Sequence, residues 1–304
     1  MASALPESGA TGARGTVVSL GSSIAFGLIY FLTPLLHPMS AEAVWATRAA
    51  FALPFITVVL LVSREWHLVT AIGRRVRRRP LLLLVLLVSS VLLTAQLWVF
   101  SWAPLNGRGM QVALGYFLLP LALVVIGRLL YKDRMAWWQW AAAGIAAAGV
   151  VYEIFRVGGI GWETLLVCLG YPCYFVLRRS IGTGHLGGMW WDFVCLFPLA
   201  IVVIVWEFAD GRVIAANPSL WWAAPSISVF AAFALLLYLL ASRLLSMSLF
   251  GLLSYAEPAL LVVASLLIGE RIAPGEWVTY GAIWAAVGVI LVGGTVELLR
   301  ARRG

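Results

Sequence analysis

LGYFLLPLALVVIGRLLYKDRMAWWQWAAAG (114–144) and LSYAEPALLVVASLLIGERIAPGEWVTYGAIWAAVG (253–288) follow one plan. Each has a tyrosine, then a proline, a long apolar run and an acid–arginine turn. These are Tyr116, Pro120 and Asp133-Arg134 in the first stretch, and Tyr255, Pro258 and Glu270-Arg271 in the second. Seven residues past the acid stand Trp140 and Trp277, and eleven past it stand Gly144 and Gly281. The turns are 137 residues apart, nearly half of the 304-residue chain.

Outward from this repeat, apolar segments of about 20 residues recur, each long enough to cross a hydrocarbon core about 30 Å thick. They lie near 16–36, 43–63, 81–103, 110–131, 136–154, 160–178, 188–208, 221–242, 247–269 and 276–296. The predicted fold class is therefore an all-α integral membrane protein with ten transmembrane helices in two inverted five-helix repeats, 16–156 and 157–297. A disordered cytoplasmic tail is expected over 1–15 and a short one over 298–304. Five spans are an odd number, so the second repeat must enter the membrane from the opposite side. Inverted repeats of this kind typify secondary transporters, with the solute site near the midplane between the halves. Arg14 followed by a 20-residue apolar run looks like a signal peptide, but it is too long and lacks a small-residue cleavage site. It reads as an uncleaved first helix.

Composition agrees. Hydrophobic residues make up 62% of the chain and charged residues 11%, against about 25% charged in a soluble domain. With a mean hydropathy of +0.98, this much apolar surface calls for a bilayer. The net charge of +8 does not imply nucleic acid, because the basic residues sit in short loops and follow membrane topology. With the N-terminus inside, sixteen of the 21 fall on the inner side, four (Arg108, Arg156, Arg212, Arg271) on the outer, and Arg48 within a span. Both termini are then cytoplasmic, as for a bacterial inner-membrane protein. The block GRRVRRRP (73–80) reads as a loop anchoring topology at anionic headgroups. Trp137, Trp138, Trp140, Trp190, Trp191, Trp221 and Trp222 fall at span ends and read as the aromatic belt. Cys168, Cys173 and Cys195 have no disulfide or metal spacing and read as small core residues. AAAGIAAAGVV (141–151) reads as close helix packing of the small-xxx-small kind.

Ionisable groups inside the bilayer cost about 2.5–3.5 kcal/mol on insertion scales, so they persist where they face a cavity or a partner. Glu257 lies about ten residues, roughly 15 Å, into its span, near the midplane. Pro258 beside it cannot donate a backbone hydrogen bond and frees a carbonyl. Together they make a polar notch able to hold a cationic solute group or a coupling proton, with Tyr255 next to it. Arg48, in the outer part of the second span, suits an anionic group or an acid partner; otherwise it snorkels outward. Gln96, with Trp98 close by, and Tyr116 offer neutral hydrogen bonds, with interhelical packing as the other reading for Gln96. Asp192, near the inner face, suits an inner gate or a pair with Arg178 or Arg179; otherwise it is a solvated helix end. Pro120 and Pro258 are the expected structural kinks. Glu153, Glu163, Glu207, Asp210, Glu276 and Glu297 fall at span ends and are expected to be solvated.

Three function classes remain. The first is a secondary transporter exporting small organic solutes by alternating access. It would need no cofactor and no metal, and its partners would be the solute, the bilayer and a proton or counter-solute. It would act as a monomer or homodimer. No phosphate-binding loop supports ATP-driven pumping. The second is a membrane enzyme acting on lipid, disfavoured because His37, His67 and His185 are scattered over separate loops. The third is a channel or another non-transporting membrane protein.

The chain also resembles the drug/metabolite transporter superfamily in its EamA-type ten-helix form, over about residues 17–297. The resemblance rests on the proline-containing fourth and ninth spans and the turns that follow them, YKDR (131–134) and IGER (268–271), with Arg48 fitting as well. Within the superfamily it is similar to the RarD-type branch, through LWVFSWA (97–103), ALGYFLLPL (113–121), WWDFVCLFP (190–198) and FGLLSYAEP (250–258). The resemblance implies transport of small metabolites or amphipathic solutes across the inner membrane, usually outward. Two departures stand out: Lys132-Asp133-Arg134 replaces the first Gly-Glu-Arg turn, and Glu257 stands where a small or apolar residue is expected.

Overall fold

In hydrocarbon an unpaired backbone group costs several kcal/mol, so so apolar a chain must satisfy its backbone inside each segment. The computed structural model describes residues 9–105, 108–260, 263 and 274–301, and every element among them is helical. They are α1 (Gly9–Leu32), α2 (Ala41–Val62), α3 (Trp66–Arg78), α4 (Leu81–Leu105), α5 (Gly109–Leu130), α6 (Trp137–Val157) and α7 (Trp162–Ser180). Then follow α8 (Leu186–Phe208), α9 (Arg212–Ala216), α10 (Leu220–Leu244), α11 (Met247–Leu253), α12 (256–260) and α13 (Trp277–Ala301). Eight of these, α1, α2, α4, α5, α6, α8, α10 and α13, are long and apolar enough to cross a membrane.

Two of the ten expected spans stand apart. α7 is 19 residues long but carries Glu163, Arg178 and Arg179, which lower its hydropathy. The ninth expected span begins as α11 and α12. Its remainder, with the Glu270-Arg271 turn, lies outside the described residues apart from 263. The tails are shorter than expected. α1 starts at Gly9, inside the stretch expected as a tail, and its N-terminal part lies against α10. A methyl group on Gly15 would fall 2.6 Å from the Leu245 side chain. α13 likewise continues to Ala301.

The basic stretch expected as a loop holds a helix instead. On α3, Val69 and Ile72 are buried, while Arg74, Arg75, Arg77, Arg78 and Arg79 are exposed. That is helical periodicity, which the density of charge conceals. α8 clamps it. The Trp191 indole N–H donates to the Val69 carbonyl at 3.2 Å. Trp190 donates to Thr57 Oγ1 at 2.9 Å and meets Trp66 edge-on at 5.4 Å. Trp190 and Trp191 are therefore clamps and not belt residues. Trp137, Trp140, Trp221 and Trp222 are exposed at helix starts, where a belt places them.

Helices pair in a regular way. α2 packs on α8, α5 on α11 and α6 on α13; α1 packs on α10 and α4 on α7. Small residues let α6 and α13 approach, with Ala142, Ala143 and Ala146 buried and Gly149 set against Ala282. Where α5 crosses α11, Gly251 has no room for a side chain. A methyl group there would lie 2.7 Å from Leu123 Cβ and 2.9 Å from the Pro120 carbonyl oxygen. Gly251→Ala is expected to cost about 1–3 kcal/mol by overpacking, read as a lower melting temperature in detergent. An unchanged melting temperature would show that the crossing is loose.

Three expectations about side chains are corrected. Cys168 is buried and Cys195 partly buried, but Cys173 is exposed. Five residues along a helix is about 140° around it, which turns Cys173 away from the face of Cys168. Glu153 and Glu163, expected to be solvated, are 5% and 0% exposed. Glu163 pairs with Arg108 across the gap from the α4–α5 turn to α7. Glu153 pairs with Arg156 at 2.5 Å and accepts from Thr279 Oγ1 at 2.6 Å, and Arg156 reaches Glu276 at 3.2 Å. Glu207 accepts from the Ser40 backbone N–H at 2.8 Å, whereas Asp210 is exposed beside Arg212.

These bonds gather the α4–α5 and α6–α7 turns with the start of α13, and the α1–α2 turn with the end of α8, at one end of the bundle. At the other end, Arg75 donates to the Ile181 carbonyl at 2.8 Å and Arg179 to the Ser242 carbonyl at 2.5 Å. Asp133 Oδ2 there accepts from the Ser248 backbone N–H at 2.9 Å, capping α11.

Candidate functional site

The break between α11 and α12 sets the geometry around Glu257. Pro258 cannot donate to the Ser254 carbonyl four residues back. The Glu257 backbone N–H donates to it instead, at 3.2 Å, in a tighter turn. The carbonyl expected to stay free is thus satisfied, and the chain turns at Ser254-Tyr255, just ahead of the carboxylate. Tyr255 is fully buried, and its hydroxyl donates to the Phe117 carbonyl at 3.0 Å. It ties the break to α5 one residue from Tyr116. Pro120 lies within α5, which stays helical through it.

Glu257, Arg48 and Tyr116 line one central cavity, with Tyr171 of α7 and Tyr238 of α10. It is narrow, at about 60 Å³, and Phe26, Phe100 and Phe193 supply apolar wall. Arg48 Nη2 donates to Thr33 Oγ1 at 3.2 Å, while its Nε is buried without a partner among the described residues. Neither Arg48 nor Glu257 belongs to an ion pair among those residues. An acid and a base therefore share one narrow cavity without pairing with each other. The rings are linked: Phe100 meets Tyr116 at 5.8 Å, Phe26 meets Tyr238 at 6.0 Å, and Tyr171 meets Tyr238 at 6.1 Å.

The other sequence candidates lie elsewhere. Gln96 is buried against Gly170 and donates to the Leu166 carbonyl at 2.8 Å, joining α4 to α7. Trp98 stacks on Trp102 at 5.1 Å and donates to Glu42 Oε1 at 3.3 Å. Asp192 is fully buried, so it is not a solvated helix end. It pairs with Arg178 and accepts from Ser89 Oγ and the Tyr174 hydroxyl, both at 2.9 Å. Arg178 also donates to the Thr183 and His185 carbonyls.

Sequence reading missed Tyr171 and Tyr238. Their only signal was a hydroxyl inside an apolar run, and Tyr171 precedes Pro172 much as Glu257 precedes Pro258. Both rings, with Phe175 and Phe250, form an aromatic septum whose centroids lie 4.8–6.3 Å apart. Tyr171 and Tyr238 face the central cavity, whereas Phe175 lines a second one nearer α3.

Fold and site together define a multi-pass helical membrane protein built around a narrow cavity that an acid and a base line. Its relatives say which. A chloramphenicol-sensitive protein RarD of Pseudomonas aeruginosa is 37% identical over 96% of this chain and 98% of its own length. An uncharacterized transporter of Pasteurella multocida is 35% identical over 85% and 89%, and protein RarD of Escherichia coli is 25% identical over 92% and 94%. The chain belongs to the RarD family of the drug/metabolite transporter superfamily. One solved crystal structure shares the fold at 15% identity, with a TM-score of 0.59 over 93% of this chain and 99% of that one. No family model matches.

Proposed function

We propose that this chain is a secondary transporter, exporting small organic solutes from the bacterial cytoplasm by alternating access. The central cavity is its solute site. The observation that carries this is a base and an acid, Arg48 and Glu257, without an ion-pair partner among the described residues and facing one cavity lined by tyrosines. A solute with a cationic group for Glu257, an anionic or polar group for Arg48 and an apolar body between them suits it. A cavity of about 60 Å³ is far below the roughly 300–1,000 Å³ that holds a small organic ligand. The bundle must therefore open to load, as alternating access requires.

The ten-span reading has support beyond hydropathy. α7 is about 28 Å long at 1.5 Å per residue, and its ends bond to opposite ends of the bundle, Glu163 to Arg108 and Arg179 to Ser242. With α1, α2, α4, α5 and α6 as one half, and α7, α8, α10, α11–α12 and α13 as the other, packing respects a two-fold exchange. α2, α5 and α6 each pack on their own counterpart, and α1 on α10 mirrors α7 on α4. The basic surface of α3 supports a cytoplasmic position for its end of the bundle and both termini.

The test begins with melting curves of the purified protein against amino acids, polyamines, aromatic amphiphiles and chloramphenicol, the last from the name of the Pseudomonas relative. A ligand at about 100 times its Kd adds roughly 2.7 kcal/mol. The stabilising compound is then loaded into proteoliposomes for counterflow. Accumulation of label against the unlabelled gradient is expected. Conductance without counterflow would make this a channel and overturn the reading.

A further inference from the structure

Beyond the aromatic septum lies a second cavity of about 320 Å³, between the α3-side ends of α2, α7, α8 and α10. Part of its lining is apolar, including Val59, Phe175, Met189 and Leu236. The rest is cationic, with Arg178, Arg179 and Arg243 beside the imidazole of His185 and against a single acid, Glu65. Asp192 neutralises Arg178. Arg179 holds the Ser242 carbonyl and lies 5.0 Å from the Tyr131 ring, and among the described residues no carboxylate pairs with it. Arg243 is exposed and has no hydrogen-bond or ion-pair partner among those residues. Two guanidiniums are thus left for one unpaired carboxylate.

The helix start adds to this. Gly184, His185 and Leu186 line the cavity where α8 begins, and no side chain caps that terminus. The positive end of a 23-residue helix therefore faces the space. His185 responds to the same field. Burial first, then the Arg178 and Arg243 guanidiniums, hold its imidazole down at about 4, so it is neutral at pH 7. Burial opposes a charge of either sign, whereas the guanidiniums that add to the shift favour an anion.

We infer that this second cavity binds an organic anion with an apolar body, a carboxylate or phosphate ester whose charged group lies between Arg179, Arg243 and the start of α8. Guanidinium forks suit both anions bidentately, and the apolar lining takes the body. Such an anion could come from the cytoplasm or be the headgroup of a membrane phospholipid. The site does not rest on the transport reading, and its test measures binding without transport, so the two fail separately.

The experiment uses the full chain in phosphatidylcholine nanodiscs, titrated calorimetrically with 1-naphthyl phosphate. Saturable one-to-one binding is expected, weakened at least tenfold by Arg243→Gln and less by Arg243→Lys, which keeps the charge without the bidentate fork. Arg243 is exposed, so neither variant should harm folding. Displacement by short-chain phosphatidylglycerol, and not by short-chain phosphatidylcholine, would identify a lipid source. Resistance to both would identify a soluble one, and either outcome supports the site. Absence of saturable binding, or binding unchanged by Arg243→Gln, would overturn the inference. So would weakening by Arg48→Gln in place of Arg243→Gln, which would put the anion in the central cavity.

Discussion

Asp192→Ala is expected to destabilise the protein by about 3–5 kcal/mol, because it leaves the Arg178 guanidinium buried without its counter-charge. Arg178 is 3% exposed and Asp192 fully buried, so water cannot solvate what remains. Ser89 and Tyr174 would lose their acceptor at the same time. The readout is a fall in melting temperature in detergent, with less protein surviving purification. A second variant separates loss of the pair from loss of packing. Asp192→Leu with Arg178→Met removes both charges together, and replacing a whole buried pair by apolar groups of similar volume is often neutral. The double variant should be more stable than Asp192→Ala alone. If it is worse by the sum of both single changes, the two residues do not act as a unit.

Glu257→Gln is expected to act on binding and spare the fold. The amide keeps the size of the carboxylate and removes its charge, and the structure gives that charge no ion-pair partner among the described residues. A hydrogen bond to a charged group contributes about 1.5–3 kcal/mol. A solute with a cationic group should therefore bind roughly ten- to a hundredfold more weakly, with the unliganded melting temperature unchanged. Arg48→Gln should do the same to the anionic end of the same solute. The check is a binding titration of both variants with the compound found in the melting screen. Equal affinity in wild type and both variants would remove the central cavity from solute recognition.

What the sequence disclosed, it disclosed because hydrocarbon is an exacting solvent. Long apolar runs and rare charges within them were visible without a structure, and Arg48, Tyr116 and Glu257 do meet in one cavity. What stayed hidden were partners set far apart in sequence. Arg108 and Glu163 are 55 residues apart and pair across two turns, so Glu163 read as an ordinary solvated end. Glu153 and Arg156 are three residues apart, and that pair could have been read from helical spacing. α3 was concealed by its own arginines, which resemble a loop until Val69 and Ile72 are placed three apart on one face. Gln96 looked like a solute ligand because a lone amide in an apolar run is also what a helix clamp looks like. Tyr171 and Tyr238 were lost among many aromatic residues, since ring composition says nothing about where hydroxyls converge.

The ion pairs at the two ends of the bundle differ in exposure, Arg178 with Asp192 toward α3 being buried, and ionic strength distinguishes the ends. At the end away from α3, Arg108 with Glu163 and Arg156 with Glu153 and Glu276 join neighbouring turns through charge. Toward α3, the way to the central cavity is blocked by packed rings of Tyr171, Phe175, Tyr238 and Phe250. Added electrolyte screens the partly exposed ion pairs, whereas a strongly hydrated salt such as sulfate tightens apolar contacts. The same salt thus loosens one end of the bundle while firming the other, so under the alternating access proposed above the composition of the buffer would itself tilt which side of the membrane the cavity meets.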